Sequence, residues 1–138
     1  MGRDYRKLDV FHLADEVVTD IYTVTSQFPS EEKFGIVRQI RRAAISAPCN
    51  IVEGCARRGT GEYLNFVSIA AGSANETRYL LDVSCRLQML DGKIRDRLCN
   101  HYSELIAKLQ ALIRSLEPAA DRPVVSPEPS RTVSHREP

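Results

Sequence analysis

The chain has 138 residues, of which 43% are apolar and 27% charged, and its formal net charge is +1. This size and composition fit one globular domain and exclude a largely disordered chain. The longest uncharged stretch, residues 63–75, is too short to span a bilayer, and the N-terminus has no apolar signal core. The four cysteines form no C-x-x-C pair, which suits a reducing compartment. We therefore expect a cytoplasmic protein with no membrane partner.

The small net charge conceals two adjacent blocks of opposite sign. Residues 9–32 contain six acids and no Lys or Arg. Residues 33–58 contain six bases and one acid, Glu53, which gives this block a charge of +5. Separated charges of this kind favour contacts with charged partners or between copies of the chain.

Residues 1–117 are predicted to be helical throughout, because apolar residues recur at intervals of three and four. The first helix is expected to begin near Asp9 and to stop before Pro29. The second helix is expected to follow Ser30, with two acids in its first turn, and to continue through Pro48 with a kink.

The remaining boundaries follow from turn residues and from the apolar period. Gly59 is predicted to cap the C-terminal end of the second helix. The third helix is expected to begin after Thr60 and to end near Leu90, and the turn at 91–92 leads into a fourth helix that Pro118 closes. Four helices with short connections predict an all-α fold, an antiparallel up-and-down four-helix bundle.

The C-terminal segment differs in composition from the rest of the chain. Residues 118–138 contain five prolines, and their only large aliphatic residues are three valines. Such a segment cannot bury enough apolar surface to offset the entropy lost on ordering. We therefore predict a bundle at residues 1–117 and a disordered, Pro-rich tail at residues 118–138.

Residues 34–54, FGIVRQIRRAAISAPCNIVEG, resemble the central motif of a family of four-helix-bundle proteins encoded in intervening sequences of bacterial 23S rRNA genes. Residues 5–11 and 62–73 are similar to the same family, so the match covers about residues 5–117. The resemblance implies a bundle that assembles into a ring-shaped homopentamer. A related branch, the accessory variability determinant of diversity-generating retroelements, implies binding to nucleic acid and to a reverse transcriptase.

The polar face of the second helix is the main candidate site. Its polar residues recur every three or four positions and therefore share one side of the helix. Arginine pairs well with phosphates and with carboxylates. A solvated face, or pairing with acids of a neighbouring subunit, is the alternative. We predict that RNA or DNA contacts a basic surface formed by Arg38, Arg41, Arg42, Arg57 and Arg58.

Three further polar residues are assigned structural or inter-subunit contacts. Asn50 and Glu53 lie among apolar residues close to Pro48, where polar side chains often bind carbonyl groups that a kink leaves free. Glu76 lies on the neighbouring helix. A shared metal between Glu53 and Glu76 is disfavoured because no His follows either residue at i+3.

No catalytic residue, cofactor or metal site is predicted. The sequence contains no H-E-x-x-H motif, and the turn at residues 57–61 lacks P-loop spacing. Tyr63 and Phe66 are candidates for base stacking, with burial in the core as the alternative. The sequence thus predicts a non-enzymatic, self-assembling bundle that binds RNA or a ribonucleoprotein through its basic face. The alternative is an oligomeric adaptor for a protein partner such as a retroelement reverse transcriptase.

Overall fold

The computed structural model describes residues 2–120, which form four α-helices and contain no strand. Short 3-10 turns precede the first two helices, at Tyr5–Lys7 and Ser30–Glu32. The helices are α1 (Asp9–Thr25), α2 (Ile36–Cys55), α3 (Thr60–Arg86) and α4 (Gly92–Ala120). The predicted all-α four-helix fold is confirmed. The predicted tail, apart from its first three residues, lies outside the described part of the chain.

Each helix runs antiparallel to the helices beside it. Across the α2–α3 seam, Arg42 contacts Glu76, whereas Gly54, later in α2, approaches Phe66, earlier in α3. The α3–α4 seam is also antiparallel, since Arg78 donates to Ser103, whereas Asp82, later in α3, accepts from Arg95, earlier in α4. α3 packs extensively on both α2 and α4, and α1 closes the bundle against α2 and α4. This is the predicted up-and-down topology.

The core is a column of aliphatic side chains contributed by all four helices. Its fully buried members include Val17, Ile21, Ile40, Ile51, Val67, Leu81, Leu98, Leu105 and Leu109. Burying one such side chain stabilises the fold by about 1.5–3 kcal/mol. The stripes with periods of three and four in the sequence are therefore the surfaces that hold the bundle together. Within residues 2–120, no helix combines the length and the hydropathy needed to cross a lipid bilayer.

The start of α2 differs from the prediction. Ser30–Glu32 form a separate 3-10 turn, and α2 begins only at Ile36. Gly35 lies between them with non-helical dihedral angles, φ −101° and ψ −112°. The two acids therefore precede α2 and are not in its first turn. α2 does continue through Pro48, as predicted.

The prediction for Gly59 is wrong. α2 ends at Cys55, because the amides of Ala56 and Arg57 bind the carbonyls of Glu53 and Gly54, which tightens the last turn. Gly59 has an extended backbone, φ −87° and ψ 146°, and stands immediately before α3. It therefore belongs to the start of the third helix.

α3 ends at Arg86, four residues before the predicted limit. Gln88 adopts a positive φ of 63°, which turns the chain out of the helix. The amides of Met89 and Gln88 then bind the carbonyls of Ser84 and Cys85, both at 2.9 Å, in the pattern of a Schellman motif. Glycine usually marks this motif, and because Gln88 takes its place here, no residue type indicated the motif in advance.

α4 extends beyond the predicted end of the bundle. Its N-terminus is capped by Asp91, whose carboxylate accepts from the amides of Lys93 and Ile94 at 3.0 and 3.3 Å. At the other end the helix contains Pro118 and runs to Ala120. Proline is tolerated there because only the end of the helix follows it, and one backbone hydrogen bond is lost. α4 therefore ends three residues beyond the predicted helix limit at residue 117.

Candidate nucleic-acid interface

The five predicted arginines fall into two groups at opposite ends of α2. Arg38, Arg41 and Arg42 lie in its first two turns, whereas Arg57 and Arg58 follow its last residue. A rise of 1.5 Å per residue places the groups roughly 22–30 Å apart along the helix. The structure therefore divides the predicted basic surface into two separate parts within one chain.

The first group lines an open cleft of about 430 Å³ between the end of α1 and the start of α2. All of its charged residues are cations, and no acid lines it. A concave surface with charge of one sign concentrates counter-ions such as phosphate. The lining residues are Tyr22, Lys33, Phe34, Val37, Arg38, Arg41 and Arg42.

Arg41 is held in a fixed position by α1. Its Nε donates to the hydroxyl of Thr25 at 2.8 Å, and its Nη2 donates to the carbonyl of Tyr22 at 3.2 Å. The guanidinium also lies 4.5 Å from the centroid of the Tyr22 ring. Arg41 therefore links α1 to α2. The N–H groups of its guanidinium that these contacts do not use are held in a fixed position, from which they can donate to a ligand.

Arg42 and Arg38 differ in their partners. Arg42 donates to Glu76 at 3.0 Å, and Gln39 donates to the same carboxylate oxygen at 2.7 Å. Arg38 is exposed and makes no side-chain hydrogen bond or ion pair among residues 2–120. The charge of Arg42 is thus compensated within the chain. Arg38 and Lys33 are the cleft cations whose side chains make neither a hydrogen bond nor an ion pair in the part of the chain that the structure describes.

The second group is electrostatically weaker. Arg57 forms an ion pair of 2.7 Å with Glu53, and its guanidinium lies 4.8 Å from the centroid of the Phe66 ring. Arg58 is exposed. Since Glu53 compensates Arg57, Arg58 provides most of the positive charge at this end of α2.

The centre of the polar face forms a seam with α3. The amide of Asn50 donates to the carbonyl of Ser46 at 2.8 Å, and the Ser46 hydroxyl shares a 2.7 Å hydrogen bond with that of Ser73. Glu53 and Glu76 pair with different arginines, so the structure does not bring them together. The contacts that the structure shows for Asn50, Glu53 and Glu76 are therefore hydrogen bonds and ion pairs within one chain.

The aromatic residues at the cleft differ from those predicted to stack on bases. Tyr63 is only 1% exposed and lies beneath Arg3, and its burial raises the pKa of the phenol. Phe66 is half-buried. Phe34, by contrast, is 77% exposed, and Tyr22 is 38% exposed. One feature of the sequence could have indicated the exposure of Phe34: it precedes Gly35 and lies outside the apolar stripe of the second helix.

The fold and the cleft define a class: an all-α four-helix-bundle protein with a basic, partly aromatic cleft at one end of α2. The chain belongs to the 23S rRNA-intervening sequence protein family, whose model matches residues 6–111. No curated protein matches the chain.

One solved structure supports the fold independently. It is the crystal structure of a protein with unknown function from the S23 ribosomal protein family of Bacteroides thetaiotaomicron VPI-5482. The two chains are 24% identical, with a TM-score of 0.69, and the match covers 76% of this chain and 98% of the other. At this level of sequence identity, the similarity supports the fold and nothing further. The relation to the retroelement accessory proteins stays a prediction.

Proposed function

We propose that the protein is a non-enzymatic, self-assembling bundle of the cytoplasm that binds RNA, alone or within a ribonucleoprotein, through the cleft at the start of α2. The observation that carries the proposal is that the charged residues lining this cleft are all cations. The family description, 23S rRNA-intervening sequence protein, makes RNA the first polyanion to test.

The cations of the cleft suit a phosphate chain better than a single small anion. Lys33 and Arg38 are exposed and uncompensated within residues 2–120, and Arg41 is fixed between them and α1. Cations spread along a surface displace several counter-ions from a nucleic acid at once. Such binding depends on phosphates and therefore tolerates many base sequences.

Self-assembly would repeat the cleft around a ring. An apolar groove of about 540 Å³ runs along α1 and α2, where Ile45 is 40% exposed, and Ile69 on α3 is 50% exposed. The apolar groove and the exposed Ile69 lie on different helices of the bundle. Such unlike surfaces favour head-to-tail contacts that close a ring. Five subunits is the number that the family resemblance implies.

The second candidate function is that of an oligomeric adaptor for a protein partner, such as a reverse transcriptase. The observation that favours it is the same groove, which Phe11, Val18 and Val52 line with apolar surface. Asp15 borders the groove with negative charge, and Glu53, also at the groove, is paired with Arg57. An amphipathic helix with basic flanks is the partner chemistry that this groove would accept.

Two measurements test the proposal. Purified protein should carry nucleic acid that absorbs at 260 nm and that high salt removes. Labelled RNA should then bind more weakly to Arg38→Gln than to wild type. Arg114→Gln is the matched control, because Arg114 is exposed on α4 outside the cleft and its replacement removes the same charge. A wild-type protein that binds no RNA at low salt would remove this function and favour the adaptor.

A further inference from the structure

Phe34 is the most exposed large apolar side chain among the described residues, with 77% of its surface accessible. It lies in the turn just before α2, on the wall of the basic cleft. The ammonium group of Lys33 is 5.6 Å from its ring centroid. An aromatic ring in this position contributes little to the core, because most of its surface stays in water. Its surroundings are positive, so a flat and anionic ligand fits best.

We propose that the cleft holds an unpaired nucleobase stacked on Phe34, with the adjoining phosphates bound by Lys33 and Arg38. The ligand is then single-stranded nucleic acid and not a duplex. This inference rests on the proposed function and names the form of nucleic acid that the same cleft prefers.

The form of the ligand follows from the exposure of the Phe34 ring. Base faces are hidden in a duplex, whereas an unpaired base offers its face to an aromatic side chain. The cleft is open, and its volume of about 430 Å³ falls within the roughly 300–1,000 Å³ typical of small-molecule sites. The Arg41 guanidinium, which lies over Tyr22, adds a second flat and cationic surface.

Cations alternating with exposed rings are typical of surfaces that bind single strands without sequence preference. Each type of side chain has its own contribution. Lys33 and Arg38 provide attraction that salt screens, and Phe34 provides stacking that salt affects little. The two contributions can therefore be separated by choosing substitutions and probes that alter only one of them.

The test uses the full-length chain and three labelled probes with equal numbers of phosphates. The probes are single-stranded oligouridine, an RNA duplex and an abasic strand. The variants are Phe34→Leu, which keeps an apolar side chain, and Phe34→Tyr, which keeps an aromatic ring. Because the ring is largely exposed, both variants should retain the helical circular dichroism of the wild type.

The expected result is tighter binding of oligouridine than of the duplex or the abasic strand. Phe34→Leu should weaken oligouridine binding roughly 5- to 150-fold, as the loss of one stacked base does, with little effect on the other two probes. Phe34→Tyr should bind like wild type.

Three outcomes would overturn the inference. Equal binding of all three probes, weakened by Arg38→Gln but not by Phe34→Leu, would leave the proposed function standing and remove the stacked base. A change of assembly mass in Phe34→Leu without nucleic acid would show that a second copy of the chain covers the ring. Absence of binding to every probe at low salt would remove both the inference and the proposed function.

Discussion

Arg42 and Glu76 form an ion pair of 3.0 Å across the seam between α2 and α3, and Gln39 donates to the same carboxylate oxygen at 2.7 Å. The two side chains of the pair are 59% and 36% exposed, so water screens their attraction. Such a pair contributes up to about 1 kcal/mol. One turn earlier, Arg38 has no such partner within residues 2–120. Two arginines on the same face of α2 thus have different roles.

The first prediction separates these roles by stability. Arg42→Gln should lower the free energy of unfolding by about 0.5–1 kcal/mol, because it breaks the tie to Glu76. Arg38→Gln should leave it unchanged, because no contact is lost. Urea unfolding measures both, and a double-mutant cycle with Glu76→Gln isolates the pair. Equal losses for the two arginines would contradict the assignment.

Arg41 is a poor probe of binding, and the structure gives the reason. Its two hydrogen bonds connect α2 to Thr25 and Tyr22 of α1, so replacing it also disturbs the bundle. Lys33 and Arg38 are the cleft cations without such ties. The double variant Lys33→Gln/Arg38→Gln therefore changes the charge of the cleft with the least change in fold.

The second prediction compares two glycines of the bundle. An added Cβ at Gly54 would lie 2.8 Å from the Cβ of Phe66, whereas one at Gly72 would meet no heavy atom within 4 Å. Gly54→Ala should therefore cost about 1–3 kcal/mol through overpacking of α2 against α3. Gly72→Ala should gain up to about 1 kcal/mol, because alanine favours the helix.

Thermal and urea unfolding of both glycine variants provide the comparison. A Gly54→Ala variant as stable as wild type would mean that α2 and α3 do not approach as closely as the structure shows. The assembly mass of the Gly72→Ala variant, measured by light scattering, provides a second test. A loss of assembly there, with the bundle still folded, would place this side of α3 at a subunit contact.

The third prediction concerns pH and Tyr102. Its side chain is fully buried, and its hydroxyl lies near Thr77 but makes no hydrogen bond of ordinary geometry among the described residues. Burial raises the pKa of Tyr102 far above its usual value of about 10. As pH rises above about 10, the unfolded chain releases this proton while the folded chain retains it. Stability should therefore fall with increasing pH in that range.

Tyr102→Phe tests this assignment directly. At neutral pH it should cost little or even stabilise, because a buried hydroxyl without a partner is removed. Above about pH 10 the variant should lose less stability than wild type, with Tyr63 still contributing a residual dependence because burial also raises the pKa of that phenol. Tyr79→Phe is the control, since Tyr79 is 61% exposed. Parallel pH profiles of Tyr102→Phe and wild type would refute the assignment.

The fourth prediction is assembly. Light scattering at micromolar concentration and ordinary salt should give a multiple of the 15.5 kDa chain mass, with five copies as the family resemblance implies. A monomer mass would contradict it. The variant Lys33→Gln/Arg38→Gln should keep this mass while it loses RNA binding. If the ring instead dissolves, these cations pair with the acids of a neighbouring subunit.

The helices could be predicted from the sequence because their number depends on apolar period and on turn residues, which are local. The ends of α2 and α3 could not, because they depend on backbone angles at Gly35 and Gln88 that no residue pattern fixes. The difference between Arg38 and Arg42 was also hidden. It depends on Glu76, which lies 34 residues from Arg42 in the chain and becomes its neighbour only in the bundle.

The cleft itself was only partly predictable. The cluster of bases at residues 33–58 is evident in the sequence, but its separation into two ends of α2 requires the helix to be built. The aromatic wall was missed because Tyr22 and Phe34 belong to different elements. Exposure, which distinguishes Phe34 from the buried Tyr63, is a property of packing and not of residue type.

The most direct test of the central claim is the salt dependence of RNA affinity for wild type and for Lys33→Gln/Arg38→Gln, with Arg114→Gln as the control. Between about 50 and 200 mM salt, wild-type affinity for single-stranded RNA should fall steeply. The double variant should bind more weakly, with a log–log slope less steep by at least about 1.4, because two phosphate contacts are lost. The control should match wild type. A double variant with the wild-type slope and affinity would contradict the claim that this cleft binds nucleic acid.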